Sequence, residues 1–226
     1  MDINKEILKL SNEQEWNHQY YLPGGLKTRK TDINSPGYNI NKWERLKPLF
    51  ENTLINQTSF LDVGCSDGYY SIEIAKLKKS FQVTGIDIDN IRIERSNLMK
   101  KIFNISNVNF YKEDLYNLIN QEKKFDAVIG LGLLHRVPDM NKCIKDLSSL
   151  SKKYILFEFK SYKSDQIISI SHQEKTKSNK FNKLYETPSI KYVIQQLKNQ
   201  NFKNFEILED NNSHLNFPRT IILGEK

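Results

Sequence analysis

The chain has 226 residues, 38% of them apolar, and a formal net charge of +7. This length suits one hydrophobic core with a short appendage and is short for two large domains. No stretch approaches the roughly 18 consecutive apolar residues of a membrane helix, and the polar N-terminus lacks a signal-peptide pattern. We therefore expect a soluble, cytoplasmic protein without a membrane partner. The two cysteines have no zinc-type spacing and are too few for a disulfide framework.

The first 40 residues differ from the rest of the chain. They contain aromatic side chains but few aliphatic runs, and a Pro-Gly-Gly turn interrupts them. This predicts an N-terminal arm or lid over residues 1–40 and a larger domain over residues 41–226. Side chains of the arm suited to stack on a base or sugar, or to meet a phosphate or carboxylate, are Trp16, Tyr20, Tyr21, Lys27 and Arg29. The alternative is that the aromatic residues only fasten the arm to the domain.

From Ser59 onward, short apolar runs alternate with helical patterns. Five runs predict strands: SFLDV, FQVTGIDID, VNFYKED, FDAVIGL and YILFEF. Nearly continuous apolar runs are typical of parallel strands buried on both faces, and the helices provide the crossovers. Two last runs, FEIL and RTIILGE, are joined by a turn too short for a crossover, so they should pair antiparallel. The predicted fold is α/β, a doubly wound, mostly parallel seven-stranded sheet with a C-terminal antiparallel hairpin.

One polar segment interrupts this alternation. Residues 161–186 are too many for an ordinary connection inside a compact domain, so we predict a substrate-capping insertion there. After it, Thr187 and Pro188 resemble an N-cap and the first residue of a helix.

The first predicted strand leads into a glycine-bearing loop that opens a helix. The strand contains Asp62, and the loop contains Gly64, Cys65, Ser66 and Gly68. Gly64 lets the backbone turn without a Cβ in the way of a ligand, and Gly68 allows close approach at the helix start. A glycine loop alone is weak evidence, because dinucleotide-binding folds also use one.

Two more acids follow the next two strands. Asp87 lies about 20 residues after the loop, the spacing at which a carboxylate accepts both ribose hydroxyls. Asp114 closes the third strand, where a carboxylate can accept a hydrogen bond from an adenine amine. Because the carboxyl ends of parallel strands meet at one edge, these acids should line one crevice. The alternative for an acid at such a place is a helix N-cap, which suits Asp67 and Asp89.

The runs D-V-G-C-S-D-G and G-I-D-I-D resemble the first two motifs of the Rossmann-like (class I) S-adenosylmethionine (SAM)-dependent methyltransferases. The resemblance covers roughly residues 42–226, and Ser66 departs from the middle glycine of the family's acid-x-G-x-G-x-G pattern. It implies SAM as the cofactor, with Asp87 on the ribose, Ile88 on the adenine and Leu131 near the methionine amine. The predicted cofactor-binding residues are Asp62, Gly64, Cys65, Ser66, Gly68, Asp87, Ile88, Asp114, Leu115 and Leu131.

Other segments are similar to the tRNA wobble-uridine methyltransferase-like group. They are residues 41–45 (NKWER), 130–136 (GLGLLHR), 187–189 (TPS) and 219–220 (RT). One member of that group transfers a carboxymethyl group, and relatives with this layout modify sugars and other small molecules. The carboxymethyl enzyme has a tyrosine where this chain has Leu134, which favours plain SAM over a carboxylated cofactor.

Methyl transfer from a sulfonium is an in-line displacement, and a general base can remove the proton of a hydroxyl acceptor. His135, after the fourth strand, and Glu158, at the end of the fifth, are the catalytic candidates. The alternative for His135 is a loop-holding role. Arg136 and Arg219 are candidates for binding the acceptor's phosphate or carboxylate. The acids lie on separate strands, so we expect no metal.

Three functions remain open on these residues. The main prediction is methyl transfer to a hydroxyl or amine of a small polar acceptor, such as a sugar or nucleotide-linked sugar. The alternative is a tRNA or RNA methyltransferase, favoured by the positive charge but not by any run of alternating arginine and aromatic residues. A third is a non-catalytic adenine-nucleotide-binding module or an NAD enzyme, and the acid in the first strand counts against NAD. The oligomeric state is left undefined.

Overall fold

The computed structural model describes residues 3–13, 15–28, 38–119, 123–174, 183–209 and 218–226. Within them the helices are α1 (Ile3–Glu13), α2 (Tyr38–Glu51), α3 (Tyr69–Leu77), α4 (Asn90–Ile102), α5 (Leu115–Leu118), α6 (Met140–Leu150) and α7 (Ile190–Lys198). The strands are β1 (Ser59–Val63), β2 (Gln82–Asp87), β3 (Val108–Lys112), β4 (Phe125–Leu131), β5 (Ser151–Lys160), β6 (Ser169–Glu174), β7 (Lys183–Pro188), β8 (Asn204–Glu209) and β9 (Arg219–Glu225). No helix in these ranges is long and apolar enough to cross a bilayer.

Seven strands form one sheet in the order β3-β2-β1-β4-β5-β9-β8. Strand β2 pairs parallel with β1 and β3, and β4 pairs parallel with β5. Strand β9 pairs antiparallel with both β5 and β8. The predicted fold, a mostly parallel α/β sheet that ends in an antiparallel hairpin, is therefore confirmed. Too few residues separate β8 from β9 for a crossover, so antiparallel pairing is the available geometry.

The chain forms two compact units, an N-terminal unit (Met1–Leu118) and a C-terminal unit (Ile119–Lys226). In the N-terminal unit, Phe60 and Leu61 of β1 are fully buried, and the Phe60 ring lies 4.7 Å from that of Phe81. Each fully buried side chain of this size contributes about 1.5–3 kcal/mol. This packing anchors the beginnings of β1 and β2 in the core.

The C-terminal unit is built around β4 and β5, whose central residues are almost completely buried. Helix α6 contributes Cys143 and Leu147 to this core, and α7 contributes Val193 and Leu197, all without exposed surface. The i, i+4 spacing of both pairs explains why each helix turns one apolar face inward.

The predicted insertion contains structure that the sequence did not reveal. Strands β6 and β7 form a separate antiparallel ribbon, in which Ile170 pairs with Thr187. Thr187 is thus a strand residue, and the prediction that it caps a helix was wrong. Helix α7 begins two residues later than predicted, and its N-cap is Ser189, whose Oγ accepts from the Tyr192 N–H at 3.1 Å. A substrate-capping role for residues 161–186 stays a prediction.

Candidate active site

The glycine loop, residues 64–68, is held by backbone hydrogen bonds to the next strand. The N–H groups of Gly64 and Cys65 both donate to the Ile86 carbonyl, at 2.9 and 3.0 Å. Gly68 has a φ of 79°, and a Cβ there would lie 2.7 Å from Ser96 Oγ and 2.8 Å from Phe110. Only glycine fits at position 68, and the absence of a Cβ there allows α3 to pack closely against α4 and β3.

Ser66, which replaces the family's middle glycine, adopts a φ of 54°. A left-handed conformation costs a residue with a Cβ about 1–2 kcal/mol. The surroundings hold it there: the Ser66 N–H donates to Asp87 Oδ2 at 2.9 Å, and Ser96 Oγ donates to the Ser66 carbonyl at 2.9 Å. Asn17 Nδ2 also donates to Ser66 Oγ at 2.9 Å. The loop therefore keeps its glycine-type geometry with a serine.

We expect Ser66→Gly to stabilise the protein by about 1 kcal/mol, because relief of the left-handed strain exceeds the loss of one exposed hydrogen bond. Urea unfolding of the purified variant measures this change. Ser66→Ala is the matched control, because alanine keeps the strain and loses the same hydrogen bond, and it should be destabilising. Equal destabilisation by glycine and alanine would contradict the strain argument.

Asp87, the predicted ribose acid, ends β2 and spans the loop and the start of α4. Its Oδ2 accepts from the Ser66 N–H at 2.9 Å, and its Oδ1 accepts from the Asp89 N–H at 3.0 Å. An ionised carboxylate has about four acceptor positions, so each oxygen retains capacity for a ribose hydroxyl. The carboxylate is thus oriented by the backbone and suited to the predicted ligand.

The residues predicted at the adenine end offer the chemistry that an adenine requires. Ile88 is 70% exposed, which leaves an apolar surface open. Asp114 is exposed, and its Oδ1 accepts from the Tyr116 N–H at 3.0 Å, so it also caps α5. Leu115 beside it is buried and belongs to the core. Together with Asp87, these side chains fit an adenosine.

Asp62 and Cys65 are buried next to the loop. Asp62 is 2% exposed and accepts from Ser71 Oγ at 2.6 Å. Burial raises the pKa of Asp62 from 3.8 to about 6; the Ser71 hydrogen bond and Lys42 oppose this rise, and Asp87 adds to it. At neutral pH the carboxylate is therefore an anion suited to an ammonium group. Burial also raises the pKa of Cys65 well above its usual 9.0, so this side chain is a neutral thiol.

Asp67 is a functional candidate that the sequence did not identify. Its predicted role as an N-cap of α3 was wrong, because that position is held by Gly68 without a side-chain cap. Asp67 instead is completely buried and accepts hydrogen bonds from Arg92 and Arg95 of α4 and from the arm. The available signal was an arginine, Arg95, on the apolar face of α4. The matching prediction for Asp89 is confirmed, since it caps α4 through the Ile91 N–H at 2.9 Å.

Two aromatic residues of the arm are occupied by contacts within the N-terminal unit. Trp16 is 1% exposed and lies 4.7 Å from the Arg95 guanidinium, measured to the ring centre. Tyr20 is 2% exposed, and its hydroxyl donates to the Asp67 carbonyl at 2.7 Å. These contacts are the ones expected if the aromatic residues fasten the arm.

Two other predicted acceptor-binding residues of the arm lie at its surface. Tyr21 is 53% exposed, and Lys27 Nζ lies 5.1 Å from the centre of its ring. The two residues form an antiparallel bridge across the Pro-Gly-Gly turn. Arg29 lies outside the described residues.

In the C-terminal unit, four residues come together where β4 and β5 end; we call them the His135 cluster (Gly132, His135, Glu158 and Arg219). Gly132 has a φ of 68°, and its N–H donates to the Glu158 carbonyl at 2.7 Å. A Cβ on Gly132 would lie 3.7 Å from Glu158 Oε2 and 3.9 Å from both Arg219 Nη1 and His135 Cε1. Arg219 Nη1 donates to both carboxylate oxygens of Glu158, at 3.3 and 3.4 Å. The sequence placed the three side chains in candidate roles but did not show this contact.

His135 is an uncharged imidazole at neutral pH. It is 8% exposed, and its Nδ1 is buried without a hydrogen-bond partner among the described residues. Burial lowers the pKa of His135 from 6.5 to about 4; Arg219, Arg136 and Lys160 add to the decrease, and Glu158 opposes it. A neutral ring with an unpaired nitrogen can accept a proton. Of the remaining predicted residues, Arg136 is exposed and Leu131, which ends β4, is half-buried.

His135 and Asp62 should impose opposite pH dependences on stability. In the unfolded chain His135 binds a proton below pH 6.5, and in the folded protein it does so only below about pH 4. The free energy of unfolding therefore decreases as pH falls from 6.5 to about 4. Asp62 keeps its proton up to about pH 6 in the folded protein, but only up to about pH 3.8 in the unfolded chain. The free energy of unfolding therefore decreases as pH rises from 3.8 to about 6. Each effect amounts to about 3 kcal/mol, and the two largely cancel between pH 4 and 6.

We therefore expect single variants to show the pH dependence that the wild type masks. Relative to wild type, His135→Gln should lose stability as pH rises from 4 to 6, and Asp62→Asn should gain stability over the same interval. Urea midpoints at half-unit pH steps measure this. Parallel pH profiles for His135→Gln and wild type would contradict the assigned imidazole shift.

A family model described as a methyltransferase domain matches residues 55–212. The chain belongs to this family. The predicted membership of the Rossmann-like SAM-dependent methyltransferases is thereby confirmed, and with it the predictions of an enzyme and of SAM as the cofactor. Among the described residues, no group of three or more His, Cys, Asp or Glu side chains could hold a metal ion.

Curated relatives and solved structures agree with this membership. A tRNA U34 carboxymethyltransferase of Campylobacter fetus is 28% identical over 96% of this chain and 74% of its own length. Another from Nautilia profundicola is 26% identical over 66% of this chain and 48% of its own length. The N-terminal domain of EvdMO1 with bound S-adenosylhomocysteine (SAH) matches with a TM-score of 0.78 at 17% identity, covering 100% of this chain and 97% of that one. Magnesium protoporphyrin IX methyltransferase of Synechocystis matches with a TM-score of 0.65 at 15% identity, covering 87% and 88%. The structural matches show the fold.

Proposed function

We propose that this enzyme transfers the methyl group of SAM to a nucleotide of tRNA. The observation that carries the proposal is the similarity, over almost the whole chain, to an enzyme named for its action on tRNA U34. This favours the RNA acceptor over the small polar acceptor that we placed first from the sequence. Leu134 supports plain methyl transfer: it is 1% exposed and apolar at the position where the resembling carboxymethyl enzyme has a tyrosine.

The N-terminal unit provides the proposed adenosine site. Asp87 would accept the ribose hydroxyls, Ile88 would cover one face of the adenine, and Asp114 would accept from its amine. Asp62, ionised above about pH 6, would attract the methionine ammonium. Gly64 would contribute backbone along the methionine. SAM supplies an activated methyl group on a sulfonium, so these residues need only bind and orient it.

The His135 cluster would act on the acceptor. The His135 ring is neutral at pH 7, so a ring nitrogen that the acceptor reaches can take the proton of an acceptor N–H or O–H as the methyl group is transferred. Its pKa of about 4 makes it a weak base, so the acceptor proton should be lost late, as charge develops on the acceptor. Glu158 and Arg219 neutralise each other and fix the wall beside the ring.

The arm offers an RNA-binding surface in Tyr21 and Lys27. Tyr21 has half of its surface exposed, and Lys27 lies over its ring, so a ring and a cation stand together. Stacking of a nucleic acid base on such a ring contributes about 1–3 kcal/mol, and the cation can meet the adjacent phosphate. The surface would hold one unpaired nucleotide of the tRNA.

We expect Tyr21→Ala to lower kcat/KM for tRNA roughly tenfold, chiefly through KM, because one stacking contact is lost. The KM for SAM should not change. Tyr111→Ala on β3 is the matched control, because Tyr111 is also 53% exposed. Equal effects of the two variants would contradict a specific role for Tyr21.

The proposed function is tested by incubating the enzyme with SAM labelled at the methyl group and either total tRNA or a panel of sugars and nucleotide sugars. We expect label in tRNA, at one nucleotide after nuclease digestion. Label in the sugars alone would overturn the tRNA proposal and restore the small-acceptor prediction. Calorimetry with SAH, and with NAD as the control, tests the cofactor site independently of any acceptor.

A further inference from the structure

The carboxylate of Asp67 is completely buried and accepts hydrogen bonds from two parts of the chain. Its Oδ2 accepts from the N–H groups of Asn17 and His18 in the arm, at 2.5 and 3.0 Å. Its Oδ1 accepts from Nη1 of Arg92 and Nη1 of Arg95 on α4, at 2.9 and 3.4 Å. One glycine-loop side chain therefore binds both the arm backbone and a helix.

The same two arginines also bind the arm directly. Arg95 donates to the carbonyls of Leu10 and Glu15, at 2.6 and 3.1 Å, and Arg92 donates to the Glu15 carbonyl at 3.3 Å. Hydrogen bonds between charged groups are stronger than neutral ones, and solvent does not screen them in a buried position. The arm, the glycine loop and α4 are thus joined by one anion and two cations.

This charged group is adjacent to the proposed ribose acid. The peptide unit that follows Cys65 carries the Ser66 N–H that binds Asp87 Oδ2 at 2.9 Å. One residue on, the Asp67 carbonyl accepts from the Tyr20 hydroxyl of the arm at 2.7 Å. The loop is therefore held by the ribose acid on one side and by the arm on the other. A shift of the arm would therefore change the orientation of the Ser66 N–H, and with it that of Asp87.

We propose that Asp67 is a positioning residue that couples the arm to the cofactor site. Cofactor binding at Asp87 orders the arm, and an acceptor that binds the arm raises the affinity for the cofactor. The inference rests on the proposed SAM site. The effect must be reciprocal, because a coupling free energy between two sites is the same in both directions. Because Tyr21 and Lys27 lie in the same arm, bound SAM raises the affinity for the acceptor by the same factor.

Hydrogen exchange of peptides that cover residues 15–28, with and without saturating SAH, measures this coupling. In wild type, SAH should slow exchange of the arm roughly tenfold, which a contact used only for stability would not do. In Asp67→Asn the protection should disappear, and the Kd for SAH should rise about tenfold. Asp89→Asn is the matched control: it removes an acid beside Arg92 but keeps an N-cap for α4, and it should keep the arm protection.

Tyr20→Phe keeps the inference testable if Asp67→Asn does not fold, because it removes only the hydroxyl that binds the Asp67 carbonyl. It should reduce the SAH-dependent protection about threefold in a folded protein. SAH binding to wild type without any change in arm exchange would overturn the coupling and leave the proposed function standing. Failure of wild type to bind SAH would overturn both.

Discussion

Replacement of Asp87 by asparagine should weaken SAH binding about 100-fold or more, because two hydrogen bonds to a charged acceptor are lost from the ribose. The amide has one acceptor oxygen in place of two, so it cannot bind the Ser66 N–H and the Asp89 N–H through separate oxygens as the carboxylate does. Calorimetry on the folded variant gives the affinity, and the same measurement with NAD shows that no other nucleotide takes its place.

Asp114→Asn is the control for Asp87→Asn. Asp114 is exposed, and an asparagine oxygen can still accept from the adenine amine, so its effect should stay below about tenfold. A Kd for SAH in Asp87→Asn within about threefold of wild type would show that the ribose is bound elsewhere. That result would leave the family assignment intact and remove the central residue of the proposed site.

Glu158→Ala should destabilise the protein by about 3–4 kcal/mol and abolish methyl transfer, because it leaves Arg219 without its buried counter-charge. Glu158 is completely buried, and the Arg219 side chain is 21% exposed. The same change removes the wall of the His135 cluster, since Glu158 Oε2 lies 3.7 Å from the Gly132 Cβ position. Chemical denaturation and a single-turnover assay measure the two effects separately.

The ion pair between Lys191 and Asp165 provides the comparison for Glu158. It has nearly the same length, 3.4 Å against 3.3 Å, but the Asp165 side chain is fully exposed, so Asp165→Ala should have no measurable effect. A double variant, Glu158→Gln with Arg219→Gln, should recover part of the stability lost by Glu158→Gln alone. Additive losses in that cycle would show that the two groups do not depend on each other.

The sheet was predictable because its determinants are local. Each parallel strand is a nearly continuous apolar run, as in FDAVIGL, and the acids at the strand ends are defined by chain position alone. The ribbon of β6 and β7 was not predicted, because the sequence of this segment is mostly polar and lacks the apolar run that indicates a strand. For this reason Thr187 was predicted to cap a helix, whereas it pairs with Ile170 in this ribbon.

Candidate site residues could be predicted where they lie within one short motif. They could not be predicted where the site depends on contacts between residues far apart in the sequence. Asp87 and the glycine loop lie in two short motifs and were identified directly. Asp67 was assigned to a helix cap because its partners, Asn17 and Arg95, lie 50 and 28 residues away. A buried carboxylate requires partners, but the sequence does not say which ones. The position of His135, Glu158 and Arg219 around Gly132 was hidden for the same reason.

The acceptor was the least predictable part. Methyl transfer follows from the family, but the residues that we propose for acceptor binding in the arm lie where no motif constrains them. The positive charge of the chain favoured the RNA alternative, and the similarity to a tRNA U34 carboxymethyltransferase supports the proposed tRNA acceptor.

The exposed Ile88 has a consequence for the thermodynamics of cofactor binding. This aliphatic side chain has 70% of its surface in water, and an adenine packed on it would remove that surface from solvent. Part of the affinity for the cofactor would then come from the hydrophobic effect, which is accompanied by a negative change in heat capacity.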